Sequence, residues 1–174
     1  MNTRPLGATG HQLSLLGFGG IAVNGLEPAE ASRLVAEAVA RGVNYFDSSP
    51  TYGDSEVRLG RALQPSRDQV FLACKTNRRT RAEAAARLEA SLRDLRTDHF
   101  DLYQVHEIDT LDEVETVFAP GGAMEAFAAA QAAGKIRLIG FSTHSVEVAL
   151  EMLRRYPFAT LLFPFTYTSW YRGF

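Results

Sequence analysis

With 174 residues, 46% of them hydrophobic and 22% charged, the sequence has the composition of a folded domain and excludes a disordered chain. That length suits one well-buried domain and is short for two. The formal net charge is −2, with Lys and Arg scattered along the chain, which excludes nucleic acid or an anionic membrane as the main partner.

Arg4–Gly7 and Gln12–Leu15 flank the small-residue turn Ala8-Thr9-Gly10 and predict a short hairpin. Leu15–Gly19 reads as a first apolar strand ending in glycines. Pro28 to Arg41 predicts a helix, because Pro28 suits a first turn and Ala31, Leu34, Val35, Ala38 and Val39 recur at helical spacing. Gly42 ends it, and Val43–Asp47 is the next strand. Ser55–Leu63 is a short helix opened by Asp54, and Val70–Lys75 a strand. Thr80-Arg81-Ala82-Glu83 has capping-box spacing, and Leu88, Leu92 and Leu95 carry an apolar stripe through the helix that follows. Phe100–His106 is a strand, Met124–Ala133 a helix stopped by Gly134, and Ile136–Ser142 a fifth strand. Ser145–Tyr156 is a helix and Ala159–Phe163 a sixth strand.

The lone cysteine, Cys74, excludes an internal disulfide and fits a reducing compartment, as a small buried hydrophobe on its strand. Met1–Gly10 lacks the apolar core of a secretory signal. No stretch reaches the length of a membrane span, and the richest apolar run, Phe158–Trp170, is broken by Pro164 and threonines. A cytoplasmic protein without a membrane partner is the expectation.

The strand starts recur roughly every 25–35 residues, the repeat of a βα unit. Strands apolar throughout suit a parallel sheet covered by helices. An open doubly wound sheet would need a G-x-G-x-x-G turn after the first strand, and Gly17-Phe18-Gly19-Gly20 lacks the third glycine at that spacing. A (β/α)8 barrel is preferred, because polar residues follow successive strands and so gather around one rim.

Those polar residues are Asp47, Tyr52, Lys75 and His106. Taken singly, Asp47 reads as a turn residue, Tyr52 as packing, Lys75 as a snorkelling cation and His106 as a satisfied strand-end polar group. Their recurrence at equivalent places in consecutive units favours chemistry. A phenol titrating near pH ~10 is a poor acid at neutrality. A neighbouring Lys75 would favour the phenolate of Tyr52, and Asp47 would hold the ammonium in place. A phenol so tuned can protonate a carbonyl oxygen while a cofactor delivers hydride, or run the reverse reaction as base. His106 could donate a hydrogen bond to the same oxygen.

Asp47–Glu56, Lys75, Leu102–His106, Gly17–Gly20 and Gly134–Ser142, spread from about Arg4 to Phe165, together resemble the aldo-keto reductase family. The resemblance implies a (β/α)8 TIM barrel with its floor closed by the N-terminal hairpin, and NADPH-dependent reduction of aldehydes or ketones. It makes Tyr52 the proton donor, Lys75 and Asp47 its tuning groups, and His106 the group that orients the carbonyl. It also places Gly20, Ile21 and Asp47 near the cofactor ribose and Ser142 against the nicotinamide carboxamide. Many family members carry Asn after that serine. Here Thr143, whose hydroxyl can still donate and accept, and His144 follow. His106 and His144 are too few ligands for a metal. His11 and His99 read as turn or surface residues.

The family's phosphate-binding loops follow strands seven and eight, so NADPH and NADH are not distinguished by the six units read here. A six-unit, incomplete barrel over residues 1–174 would expose its first and sixth strands, with Phe163-Pro164-Phe165-Thr166-Tyr167 and Trp170-Tyr171 partly exposed. Three explanations follow: a fragment or truncated gene product, self-association through the open edge, or a partial barrel that folds alone. Two functions compete accordingly: a reductase acting on a small-molecule carbonyl substrate, and a non-catalytic binding or scaffold subunit. The loops Ala22–Glu27 and Glu107–Gly122 are expected to contribute to the rim.

Overall fold

The computed structural model describes residues 1–166, so the expectations for Tyr167, Trp170 and Tyr171 lie outside the described residues. Strands β1 (Thr3–Pro5) and β2 (Gln12–Ser14) form the expected antiparallel hairpin, with Thr3 opposite Ser14. Six further strands make one sheet: β3 (Phe18–Gly19), β4 (Tyr45–Asp47), β5 (Phe71–Thr76), β6 (Phe100–Val105), β7 (Ile136–Ser142) and β8 (Thr160–Leu162). Their spatial order follows the chain order, and every adjacent pair is parallel. A doubly wound sheet reverses direction at a switch point; serial order is the arrangement of a (β/α)8 barrel, here through six of its units.

The connecting helices are α1 (Pro28–Ala40), α2 (Ser55–Leu63), α3 (Arg81–Asp94), α4 (Leu111–Phe118), α5 (Ala123–Ala132) and α6 (Val146–Arg155). Thr80 caps α3 as its spacing predicts, accepting from the Glu83 N–H and donating to the Glu83 carboxylate. Gly134 follows α5 at φ +74°, a left-handed stop that glycine adopts without strain.

Three expectations need correction or refinement. The first strand is only Phe18–Gly19; Leu15 belongs to the hairpin edge, where its N–H bonds Asn2, and Leu15 and Leu16 are exposed. Asp54 does open α2 as its N-cap residue, but its carboxylate makes no cap bond and accepts instead from the Gly25 N–H and from Arg58. The segment Glu107–Gly122 is not simply a loop: it contains α4, whose Thr110 side chain accepts from the Glu113 N–H.

Side-chain parity along the strands separates two cores. Phe46, Leu72, Cys74, Tyr103, Val105, Ile139 and Phe141 pack outward against the helices in the main cluster. Phe71, Ala73 and Leu102 face inward with Tyr45 and Leu138, and Leu6 and Leu13 of the hairpin close over them. The hairpin therefore plugs the barrel floor. Each such apolar side chain taken from water contributes about 1.5–3 kcal/mol. At the same parity, one step further along each strand, come Asp47 above Tyr45, Lys75 above Ala73, His106 above Gln104 and Ser142 above Gly140. The alternation that builds the floor also aims these polar groups at the opposite rim.

Candidate active site

Asp47, Tyr52, Lys75 and His106 line one cavity of about 300 Å³ at that rim, together with Glu107, Ser142, Thr143, His144, Leu162, Phe163 and Pro164. The Lys75 side chain is 1% exposed and Asp47 17%; the Lys75 ammonium donates to Asp47 Oδ2. Burial works against the Lys75 charge, but the Asp47 carboxylate, with a smaller contribution from Tyr52, more than offsets it and holds the ammonium above its ordinary pKa. Burial also raises Asp47, and Lys75 only partly pulls it back. The Lys75 nitrogen lies 5.3 Å from the centre of the Tyr52 ring, so a fixed cation sits beside the phenol.

Tyr52 stands in the loop between β4 and α2, and two cross-loop bonds fix that loop. Asn24 Oδ1 accepts from the Asp54 N–H at 3.2 Å, and Asp54 Oδ1 accepts from the Gly25 N–H at 2.9 Å. Gly53 turns at φ +60°, and a Cβ there would come within 2.3 Å of Asn24 Oδ1. Its missing side chain makes room for the latch, and its left-handed conformation is one that glycine adopts without strain.

His106 continues the β6 ladder, its N–H bonding the Thr76 carbonyl. Its Nδ1 is 2.9 Å from Ser142 Oγ. Burial, then the Lys75 charge, hold the imidazole down at about 4, so it is neutral at physiological pH. Glu107 follows with φ +49°, strained for a residue with a Cβ. Arg79 stabilises that turn: one of its nitrogens donates to both the His106 and Glu107 carbonyls, while its Nε bonds Glu113.

The remaining sequence candidates separate. Ser142 lines the cavity, but its hydroxyl is engaged by His106 and by the Glu107 N–H. Thr143 also lines it, yet its hydroxyl donates to Asp109 and accepts from the Ser145 N–H. Asp109 further accepts from the His144 N–H and meets His144 Nδ1 at 3.2 Å. Gly20 is buried on the turn after β3 and Ile21 is exposed there; neither lines the cavity. His99 pairs with Asp98, and His11 packs edge-on to Phe71. Arg79 and Asp109 were missed from sequence. The only available signal for Asp109 was its place three residues beyond His106, and Arg79 gave none.

Two buried acceptors at this rim, Asp47 Oδ1 and Ser48 Oγ, have no partner among the described residues. The chain matches the Aldo/keto reductase family over residues 15–168. It is 34% identical to the Aldo-keto reductase YhdN of Bacillus subtilis (strain 168) over 80% of this chain and 46% of that protein. It is 31% identical to the L-galactose dehydrogenase of Arabidopsis thaliana over 91% of this chain and 53% of that protein. Its fold superposes on aldo-keto reductase AKR11C1 from Bacillus halodurans (holo form) with a TM-score of 0.83 at 30% identity, covering 95% of this chain and 58% of that one. The chain thus spans about half the length of the curated relatives it matches. Rim, serial sheet and family match agree, and the chain belongs to the aldo/keto reductase family.

Proposed function

We propose that the chain carries the proton-handling centre of an NADPH-dependent reductase that converts aldehyde or ketone carbonyls to alcohols. The observation that carries this reading is the convergence of Asp47, Tyr52, Lys75 and His106 on one cavity. A bound nicotinamide cofactor would supply the hydride to the carbonyl carbon. Tyr52 gives its proton to the carbonyl oxygen as negative charge develops there. The Lys75 ammonium, kept charged by Asp47, stabilises the phenolate left on Tyr52. His106, neutral, donates its ring N–H to the same oxygen. Leu162, Phe163 and Pro164 supply the apolar wall that limits water around the reacting carbon.

The residues present fit the ribose side of such a cofactor. Asp47 Oδ1 is a buried acceptor with no donor among the described residues, as a ribose hydroxyl requires. Thr143, with its hydroxyl committed to Asp109, leaves the carboxamide to backbone groups. The lining charges favour a neutral substrate: Lys75 is matched by Asp47, and Glu107 adds an unbalanced carboxylate at the mouth. A hydroxylated carbonyl, of the kind named for the plant relative, suits that lining better than a carboxylate.

The test is NADPH oxidation with a panel of neutral and carboxylated aldehydes, by the wild type and by Tyr52→Phe. Turnover that is lost in Tyr52→Phe, with NADPH affinity kept within about twofold, is the expected result. NADPH binding below roughly 10 μM without any turnover would instead assign a binding module.

A further inference from the structure

Ser142 Oγ is the meeting point of two groups from the residues just after β6, at equal distances of 2.9 Å: the Glu107 N–H, a donor, and His106 Nδ1. We infer that Ser142 is a positioning residue that fixes the His106 tautomer, holding the ring proton on Nε2, where it faces the cavity. The inference rests on the reductase reading for its purpose, but not for its geometry.

The argument is an accounting of hydrogens. The Glu107 N–H can only donate, so it takes one lone pair of Ser142 Oγ. Between Oγ and Nδ1 two arrangements remain. If Nδ1 carried the proton, both bonds would point at the serine oxygen, and its own hydroxyl hydrogen would need a third partner. Ser142 is buried, and its side chain has no other partner among the described residues. If instead the hydroxyl donates to Nδ1, the hydroxyl hydrogen, the Glu107 N–H and the Nδ1 lone pair are all paired. Nδ1 then accepts, and the neutral ring carries its proton on Nε2.

The surroundings hold this device in place. Arg79 donates to the His106 carbonyl, which shares its peptide with the Glu107 N–H, and to the carbonyl of the next peptide, so the N–H that meets Ser142 is held in place. Glu107 Oε1 is 3.8 Å from Nε2, too far to capture the proton as a hydrogen bond. The Nε2–H is therefore free for a carbonyl oxygen. Protonating Nδ1 would break the Ser142 donation, which agrees with a ring held neutral.

The test uses the whole chain labelled with 15N-histidine, read by two-dimensional long-range 15N–1H spectra at neutral pH. For His106 we expect a pyridine-type Nδ1 and a pyrrole-type Nε2. In Ser142→Ala the two tautomers should mix, and Ser142→Thr, which keeps a hydroxyl, should restore the wild-type pattern. If the wild type shows a protonated Nδ1, or if Ser142→Ala leaves the pattern unchanged, the inference is overturned. Turnover gives a second readout: Ser142→Ala should lower kcat about tenfold, the worth of one misdirected hydrogen bond, with little change in NADPH affinity. A loss confined to NADPH affinity would make Ser142 a cofactor contact instead. If the chain proves inactive, the reductase reading fails while the spectra still decide the tautomer.

Discussion

Replacing Lys75 by Met isolates the electrostatics of the rim. Methionine keeps most of the apolar stem, so packing changes little and the charge is what is removed. The ammonium is 1% exposed and its partner Asp47 is 17% exposed, so the substitution strands a carboxylate that has little access to water. Breaking one side of a buried pair costs about 3–5 kcal/mol, and the residual exposure of Asp47 places this site near the lower end, about 3 kcal/mol. The cost must depend on pH. Burial already raises Asp47 above its ordinary value of 3.8, and without Lys75 nothing pulls it back. A carboxyl with a raised folded pKa is stabilising below its unfolded pKa and loses that contribution as pH rises through the folded one. Urea unfolding followed by circular dichroism should thus show Lys75→Met destabilised by about 3 kcal/mol near pH ~8 and by about half that near pH ~5. The double substitution Asp47→Asn, Lys75→Met should recover to within about 1 kcal/mol of wild type, since no lone charge remains. A Lys75→Met protein within about 1 kcal/mol of wild type at the higher pH, or a double variant no better than the single, would refute the reasoning.

Gly53→Ala should cost about 2 kcal/mol, from the left-handed backbone and the clash with Asn24, and should lower turnover at least about tenfold by moving Tyr52 next to it. Adding Asn24→Ala should return only the clash part, which chemical denaturation of the two variants would resolve. His106 has a folded pKa lowered from 6.5 to about 4, so its contribution is full above 6.5 and is lost as pH falls toward 4. Stability should therefore drop by about 2 kcal/mol across that window, after allowance for screening at the cavity mouth, and His106→Gln should flatten the slope. Thr160 Oγ1 is buried without a partner among the described residues, so the isosteric Thr160→Val should be neutral or raise stability by about 1 kcal/mol in thermal melts. A clear loss of stability there would mean that the hydroxyl is satisfied.

Much of this architecture was legible because local signals and global packing agree. Thr80 with Glu83, Gly134, and the alternation of Ala73 and Lys75 or Gln104 and His106 each have a local cause that the fold preserves. The failures have tertiary causes. Asp54 stands where a helix cap belongs, yet the first loop recruits its carboxylate through Gly25. Helix α4 was hidden behind Pro120-Gly121-Gly122, although Thr110 and Glu113 repeat the capping spacing read correctly at Thr80. The four rim residues could be found because strand parity brings them together. Arg79 and Asp109 could not, since each acts on a neighbouring unit: Arg79 on the carbonyls after β6, and Asp109 on the loop after β7. Thr143 was expected at the cofactor, and only the fold reveals that Asp109 has claimed its hydroxyl.

The serial order of the sheet has a bearing on how the rim comes into being. Among the described residues, each strand of the sheet after β3 bonds the one that precedes it in the chain, so its partner is already made when it forms. Lys75 meets Asp47 across 28 residues, and Ser142 meets His106 across 36. Closing loops of that size costs little entropy compared with pairing the chain ends. During synthesis, each rim group can dock as its own unit emerges, onto a neighbour already in place. The ion pair and the imidazole–hydroxyl pair are then two successive locks, each set by one added unit and each complete before β8 is made.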